Sequence, residues 1–372
     1  MLAWNEMRRA KVRFGLLCGA VGLLVFLILF QQALLGGLVT DFIGAVDNQD
    51  APVLVFNDQA RSNVEGSFLF PDQAAAIAGV DGVASTGFIG EGTYTVETGG
   101  EIRDAVMFGY ELGGLGAPSS LVEGRLPAAP GEAVSSAADR DNGFGIGDVV
   151  QIVGDGGPTI VIVGLADDLR WSVAPTMFAS YDTFEAAQRA VNPQSSVVFP
   201  SLVGVQPVDG VDIGELTDRI NSEVDGVEAL SRQEAVDGNP GVQGVSQSFG
   251  IILGLAFLVV TLVIGFFFMI LTVHKARALT LLRAVGASSR YLVKNLLVQI
   301  LMVLAIGSFL GVVMTVALLR LGPSGEVSAK LDPSSVAATL LGLVVLALIG
   351  GLAAVRRVLR IDPMSATSGA GQ

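Results

Sequence analysis

The chain has 372 residues, 51% of them hydrophobic and 15% charged, with 47 glycines and a mean hydropathy of +0.62, which is not the balance of an ordinary soluble domain. Its 35 acidic residues against 22 basic ones give a formal charge of -13, which argues against a nucleic-acid partner. One cysteine, Cys18, and one histidine, His274, exclude a disulfide framework and any multi-cysteine or multi-histidine metal centre.

In chain order, residues 1–13 (MLAWNEMRRAKVR) read as a cytoplasmic interfacial helix, with Trp4 and Met7 on its apolar side and bases to meet anionic lipid. Residues 14–40 follow without a charge. A bilayer core is about 30 Å thick and takes about 20 apolar helical residues to cross, so this run reads as transmembrane helix 1. It outlasts the apolar region of a cleaved signal peptide, about 7 to 15 residues, and is read as uncleaved. Residues 41–245 then alternate strand-like and helix-like segments. Pro52 to Phe56 reads as a strand and Pro71 to Ala78 as a short helix. Val83 to Val96 and Ala105 to Tyr110 read as strands about the Gly99-Gly100 turn, and Val149 to Val153 with Thr159 to Val163 as a hairpin. Val203 to Val205, Ile213 to Val224 and Val227 to Leu230 make a strand-helix-strand unit able to complete a split βαβ sheet begun near Val53.

Three more apolar runs close the chain, at residues 246–273, 295–319 and 333–355, separated by loops at 274–294 and 320–332 and followed by a tail at 356–372. The expected fold is an α-helical membrane protein of four transmembrane helices, with a large α+β extracytoplasmic domain inserted between helices 1 and 2. Charge sets the orientation, because Lys and Arg near span ends stay on the cytoplasmic side. Residues 1–13, 274–294 and 356–372 together hold twelve bases and two acids, whereas 41–245 hold eight bases and 31 acids, a local charge of 8 - 31 = -23. Both termini are therefore expected inside and the acidic block outside.

The chain encodes no energy source of its own. A phosphate-cradling loop needs G-x-x-x-x-G-K-[ST], and the only lysines, Lys11, Lys275, Lys294 and Lys330, follow Ala10, His274, Val293 and Ala329. Nucleophilic catalysis assisted by histidine is closed to the outer domain, since His274 lies at the other end of a span. Acid pairs such as Asp139 with Asp141 and Asp167 with Asp168 are expected by chance among 31 acids and read as surface. Gly15 and Gly19 form a GxxxG pair suited to close helix packing, and Gly350-Gly351 sit late in the fourth run.

Three local patterns carry a resemblance. The loop HKARALTLLRAVGASSRYLVKN (274–295) contains Arg283, Ala284, Gly286 and Ala287 as an RAxGA stretch; the tail VRRVLRIDPMSATSG (355–369) has Arg356, Arg357, Asp362, Pro363 and Ala366; the outer block has Glu123-Gly124-Arg125, Gly131-Glu132-Ala133 and Gly147-Asp148-Val149. With the topology, these resemble the permease subunits of MacB/FtsX-type (type VII) ABC transporters. The resemblance implies a non-catalytic homodimeric subunit of the bacterial plasma membrane. It implies two copies of a cytosolic ABC ATPase as partners, carrying the ATP and Mg that this chain does not. The coupling surface would be Lys275, Arg277, Leu281, Leu282, Arg283, Ala284, Gly286 and Ala287, with Gly15 and Gly19 as dimer packing. No acidic residue stands in this loop, and Gln299 stands where the family often has an acid, so individual salt bridges to the ATPase are not carried over. The implied activity is export or extraction of a hydrophobic substrate at the outer face, such as haem, a lipid or lipoprotein, a peptide or a drug. Haem enters only as a substrate, for which Tyr94, Tyr110, Tyr181, the methionines and the acids are the ligands on offer, a set that permits ligation without indicating it. The alternatives are an FtsX-like transmitter controlling an extracellular partner such as a cell-wall hydrolase, and a membrane-anchored binding protein without an ATPase.

Overall fold

The computed structural model describes residues 11–195, 197–284, 289–321 and 329–359. It divides into two compact units, one of residues 38–246 and one of the residues up to Gly37 together with those from Gln247 onward. Residues 1–10 of the expected interfacial helix, 322–328 of the expected outer loop and 360–372 of the tail lie outside the described residues.

The chain opens with helix α1 (Lys11–Asp47), one uninterrupted helix. The unit of residues 38–246 then carries β1 (Val53–Asn57), α2 (Pro71–Ala78), β2 (Val83–Thr98), β3 (Glu101–Tyr110), β4 (Leu121–Gly124) and β5 (Glu132–Ser136). It continues with β6 (Val149–Ile152), β7 (Thr159–Ala166), β8 (Thr176–Ser180), α3 (Tyr181–Val191), β9 (Leu202–Pro207), α4 (Ile213–Glu223), β10 (Val227–Ser231) and α5 (Arg232–Gly238). Local chemistry explains the boundaries. Pro71 opens α2; Ser180 and Asp212 cap α3 and α4 by accepting the Thr183 and Glu215 N–H groups; Ser231 and Glu234 cap α5 reciprocally. Gly99 and Gly100, both at positive φ, make the two-residue turn between β2 and β3.

Two sheet regions share the long strand β2. The first half of β2 completes an antiparallel order β10-β1-β9-β2, in which β1-α2-β2 and β9-α4-β10 interleave as a split βαβ unit. The helices α2 and α4 bury one face of it through Val53, Val55, Ile77, Val205, Leu216 and Ile220. The second half of β2 pairs with β3 on one side and β6 on the other. From there the pairing runs β3-β8-β5-β7-β6 and returns to β2, a closed ring of six strands with β4 attached to β7. Closure leaves no free edge among those six, and the ring is filled by residues such as Tyr94, Val96, Met107, Phe144, Ile152 and Ile162. A third core, around Leu54, Phe56, Phe108, Trp171 and Phe178, takes in Ile43 and Val46 of α1.

Helix α6 (Pro240–Ala284) leads into the other unit and is followed by α7 (Ser289–Leu321) and α8 (Pro333–Leu359). Among the described residues three stretches are long and apolar enough to cross a bilayer, Phe14–Asp47, Pro240–Val263 and Leu297–Leu321; Pro333–Ile349 is a shorter apolar stretch. In this unit α1 packs at the centre, with Val21, Val25, Ile28 and Leu29 against Val260, Val303, Leu304 and Leu343. Small residues set its approach to α7: a Cβ on Gly307 would sit 2.6 Å from Val21 and one on Gly311 2.7 Å from Val25. Polar bonds are satisfied inside the apolar layer. Gln32 donates to the Thr339 hydroxyl (2.8 Å), and Gln31 donates to the Phe249 carbonyl (3.2 Å).

Candidate coupling and transmission site

The residues expected to meet an ATPase fall at a helix end. Lys275, Arg277, Leu281, Leu282, Arg283 and Ala284 belong to α6, whose 45 residues run unbroken, so residues 274–284 of the stretch read as a loop continue that helix. Between Val263 and Ala284 only Gly265 is a poor helix former, which is too little to end a helix. Gly286 and Ala287 lie outside the described residues. Gly15 and Gly19 of α1 have nothing within 4 Å of an added Cβ, whereas Gly22 of the same helix packs on Gly307 and Leu310.

At the other end of α1 the structure assembles a joint that the sequence does not announce. Asp41, the first charge after the apolar run, is buried with Arg170 and Asp139. The Arg170 guanidinium donates to both Asp139 oxygens (2.6 and 3.1 Å) and to Asp41 (3.5 Å). The Asp139 hydrogen bonds, working against burial and helped by the charges of Asp139 and Asp41, raise the Arg170 pKa and hold it charged. The backbone reinforces the tie: Ala45 N–H donates to the Arg170 carbonyl, Ser172 N–H to Phe42 and Val173 N–H to Asp41 (3.1, 3.0 and 2.9 Å). Asn48 donates to the Asp168 carbonyl at 2.9 Å. The gripping loop holds Asp168, Ser172 and Val173 at positive φ, a costly conformation for a β-branched residue. Gly44 makes the approach possible, since a Cβ there would lie 2.2 Å from the Asp168 carbonyl oxygen.

The motif spread over residues 123–149 is drawn together as turn architecture. Arg125 forms a two-pronged pair with Glu132, whose carboxylate also accepts the Ala128 N–H (2.9 Å), and these bonds lower the Glu132 pKa to about 2. Gly124, Gly131 and Gly147 occupy positive φ, and Asp148 accepts the Gly145 N–H. Among the described residues the remaining buried carboxyl is that of Glu91 on β2. Burial, with the Glu65 charge second, raises its pKa to about 8, and its Oε1 is buried without a hydrogen-bond partner.

The family described as FtsX-like permease C-terminal matches residues 250–363, which take in most of α6 and all the described residues of α7 and α8. That stretch is an FtsX-like permease C-terminal domain, and along its whole length the chain resembles ABC transporter permeases. The chain is 22% identical over 99% of each chain to a protein of Staphylococcus haemolyticus named as a putative hemin transport system permease protein, HrtB. It is 25% identical, again over 99% of each chain, to an uncharacterized ABC transporter permease of Mycobacterium tuberculosis. The periplasmic region of MacB from Actinobacillus actinomycetemcomitans aligns with 52% of this chain and 94% of its own at 14% identity and a TM-score of 0.36, too low to establish a common fold. The clamp at Arg170 lies outside the stretch that the family matches.

Proposed function

We propose that this permease spans the bacterial plasma membrane four times with both termini inside, works as a homodimer with two copies of a cytosolic ABC ATPase, and converts ATP hydrolysis on those subunits into export or extraction of a hydrophobic molecule at the outer face. The observation that carries this is the length and continuity of α1 and α6. At 1.5 Å per residue the 45 residues of α6 extend about 68 Å, more than twice a hydrocarbon core of about 30 Å. An unbroken helix carries displacement from a basic end to the acidic domain without a hinge to absorb it. The buried Asp41-Arg170-Asp139 group would deliver the motion of α1 to the loop at 168–173. The name of the Staphylococcus relative makes hemin the first substrate to try.

The test is purification of the permease from native membranes in mild detergent with identification of co-purifying proteins, followed by reconstitution. An ABC ATPase near one-to-one, and ATP-dependent release of hemin from proteoliposomes, is the expected result. A co-purified ATPase with no release of any amphiphile would favour the FtsX-like transmitter, and no ATPase at all would leave a membrane-anchored binding protein.

A further inference from the structure

The outer unit holds eight arginines among residues 41–245. Six are ion-paired, and Arg232 donates to the Gln49 carbonyl. Arg61, exposed and directly after the turn at Asp58–Ala60, has neither kind of contact among the described residues. In a region of charge -23 an arginine without an acid partner is notable, because Coulomb attraction should readily supply one.

Seven residues further along the same loop begins an aromatic cluster. Phe68 and Phe70 are 49% and 43% exposed, with rings edge-on at 5.7 Å, and Phe70 meets Phe199 at 5.3 Å. Leu69 N–H donates to the Pro200 carbonyl, which fixes the two segments side by side. The segment just before this cluster is placed by contacts that lead to α1. Ser172 donates its N–H to the Phe42 carbonyl (3.0 Å) and its hydroxyl to Glu65 (3.2 Å). A Cβ on Gly241 would touch the Phe42 ring at 3.3 Å, and one on Gly238 would touch the Ser62 hydroxyl at 3.1 Å. Residues 62–65 are thus tied to Asp41 and Phe42, where the charge-free run of α1 ends. Val173, 37% exposed and bonded to the Asp41 carbonyl, adds an apolar side chain at the same level.

We propose that Arg61, Phe68 and Phe70 form a lipid-docking edge, with the guanidinium on headgroup phosphates and the rings at the boundary between headgroups and acyl chains; this rests on the reading that α1 crosses the bilayer. Aromatic rings favour that boundary, and a guanidinium matches phosphate oxygens in a way the surrounding carboxylates cannot. The rest of this acidic surface is repelled by anionic lipid, so the edge also fixes which part of the domain meets the membrane.

The test uses the full chain in nanodiscs of phosphatidylcholine and phosphatidylglycerol. In a Cys18→Ala background a spin label is placed at Phe68→Cys, with Ile102→Cys, exposed next to the β2–β3 turn, as the aqueous reference. Collision with oxygen is expected to exceed collision with a water-soluble nickel chelate at position 68, and the order is expected to invert at 102. Nickel access at 68 equal to that at 102 would overturn the proposal, as would exclusion of both reagents, the signature of a protein partner or a second copy. Arg61→Glu should raise nickel access at 68, and an unchanged value would remove the phosphate contact. No ATPase is needed, so the outcome is separate from whether the permease couples to one.

Discussion

A guanidinium enclosed by two carboxylates is a stable arrangement only while all three groups are present. Removing one member of a buried ion pair strands the other charges at a cost of about 3–5 kcal/mol, so Arg170→Met should lower the unfolding free energy of the detergent-solubilised chain by that amount. Denaturant titration of single and paired variants at Arg170 and Asp139 would check it, with Arg170→Met/Asp139→Leu recovering part of the loss. Glu91 gives a prediction of opposite character. Its folded-state pKa of about 8 lies above the ordinary 4.5, so the fold favours the protonated form. The stability it supports is complete below pH 4.5 and is lost as pH rises to about 8, at up to about 1.4 kcal/mol per pH unit. Thermal unfolding followed across that range should show this slope, and Glu91→Gln should flatten it. Neither residue stood out in the sequence: Arg170 is one of eight outer arginines, and its partners lie 31 and 129 residues away.

At the scale of elements, the packing of helices on one another rests on absent side chains. Gly311→Leu would drive a branched side chain into Val25 and the Gly22 carbonyl, where even a Cβ comes within 2.8 Å. Overpacking of this kind costs about 1–3 kcal/mol, and the expected result is a lower melting temperature in detergent, whereas Gly15→Leu, with open space around it, should leave the isolated chain unchanged. The strands and helices of the α+β unit were legible where a period or a cap marked them. β7 alternates exposed and buried along Thr159–Ile162, and Pro71 announced α2. The elements left unread, β4, β5, β8 and α3, are short and lack strong turn signals on both sides. A five-residue strand such as β8, buried throughout, has no alternation to detect.

For the whole molecule, the proposed role predicts that the basic end of α6 is a binding surface and not a part of the fold's stability. If Arg283 and Gly286 hold the ATPase, Arg283→Glu together with Gly286→Leu should abolish its co-purification while leaving the melting temperature of the chain within a few degrees, since both positions lie outside the unit of residues 38–246. Loss of capture with unchanged folding supports the coupling surface, and retained capture removes it.

Composition and charge by themselves determined that this chain belongs to a membrane, which segments are apolar enough to enter it, and that an acidic α+β block separates the first of them from the rest. These are properties of local runs, because crossing hydrocarbon is a demand that about 20 consecutive residues meet or fail together. The split βαβ unit was within reach for the same reason, its halves being written as adjacent strands and helices. Only the tertiary structure decided that β2 is shared between that unit and a closed six-stranded ring, that α6 runs unbroken through the basic stretch to Ala284, and that Arg170 locks onto the end of α1. Each of those depends on pairings or continuity across distant segments. A ring closes or stays open according to whether Val96 meets Ile152, a contact between residues that carry no mark of each other in the chain.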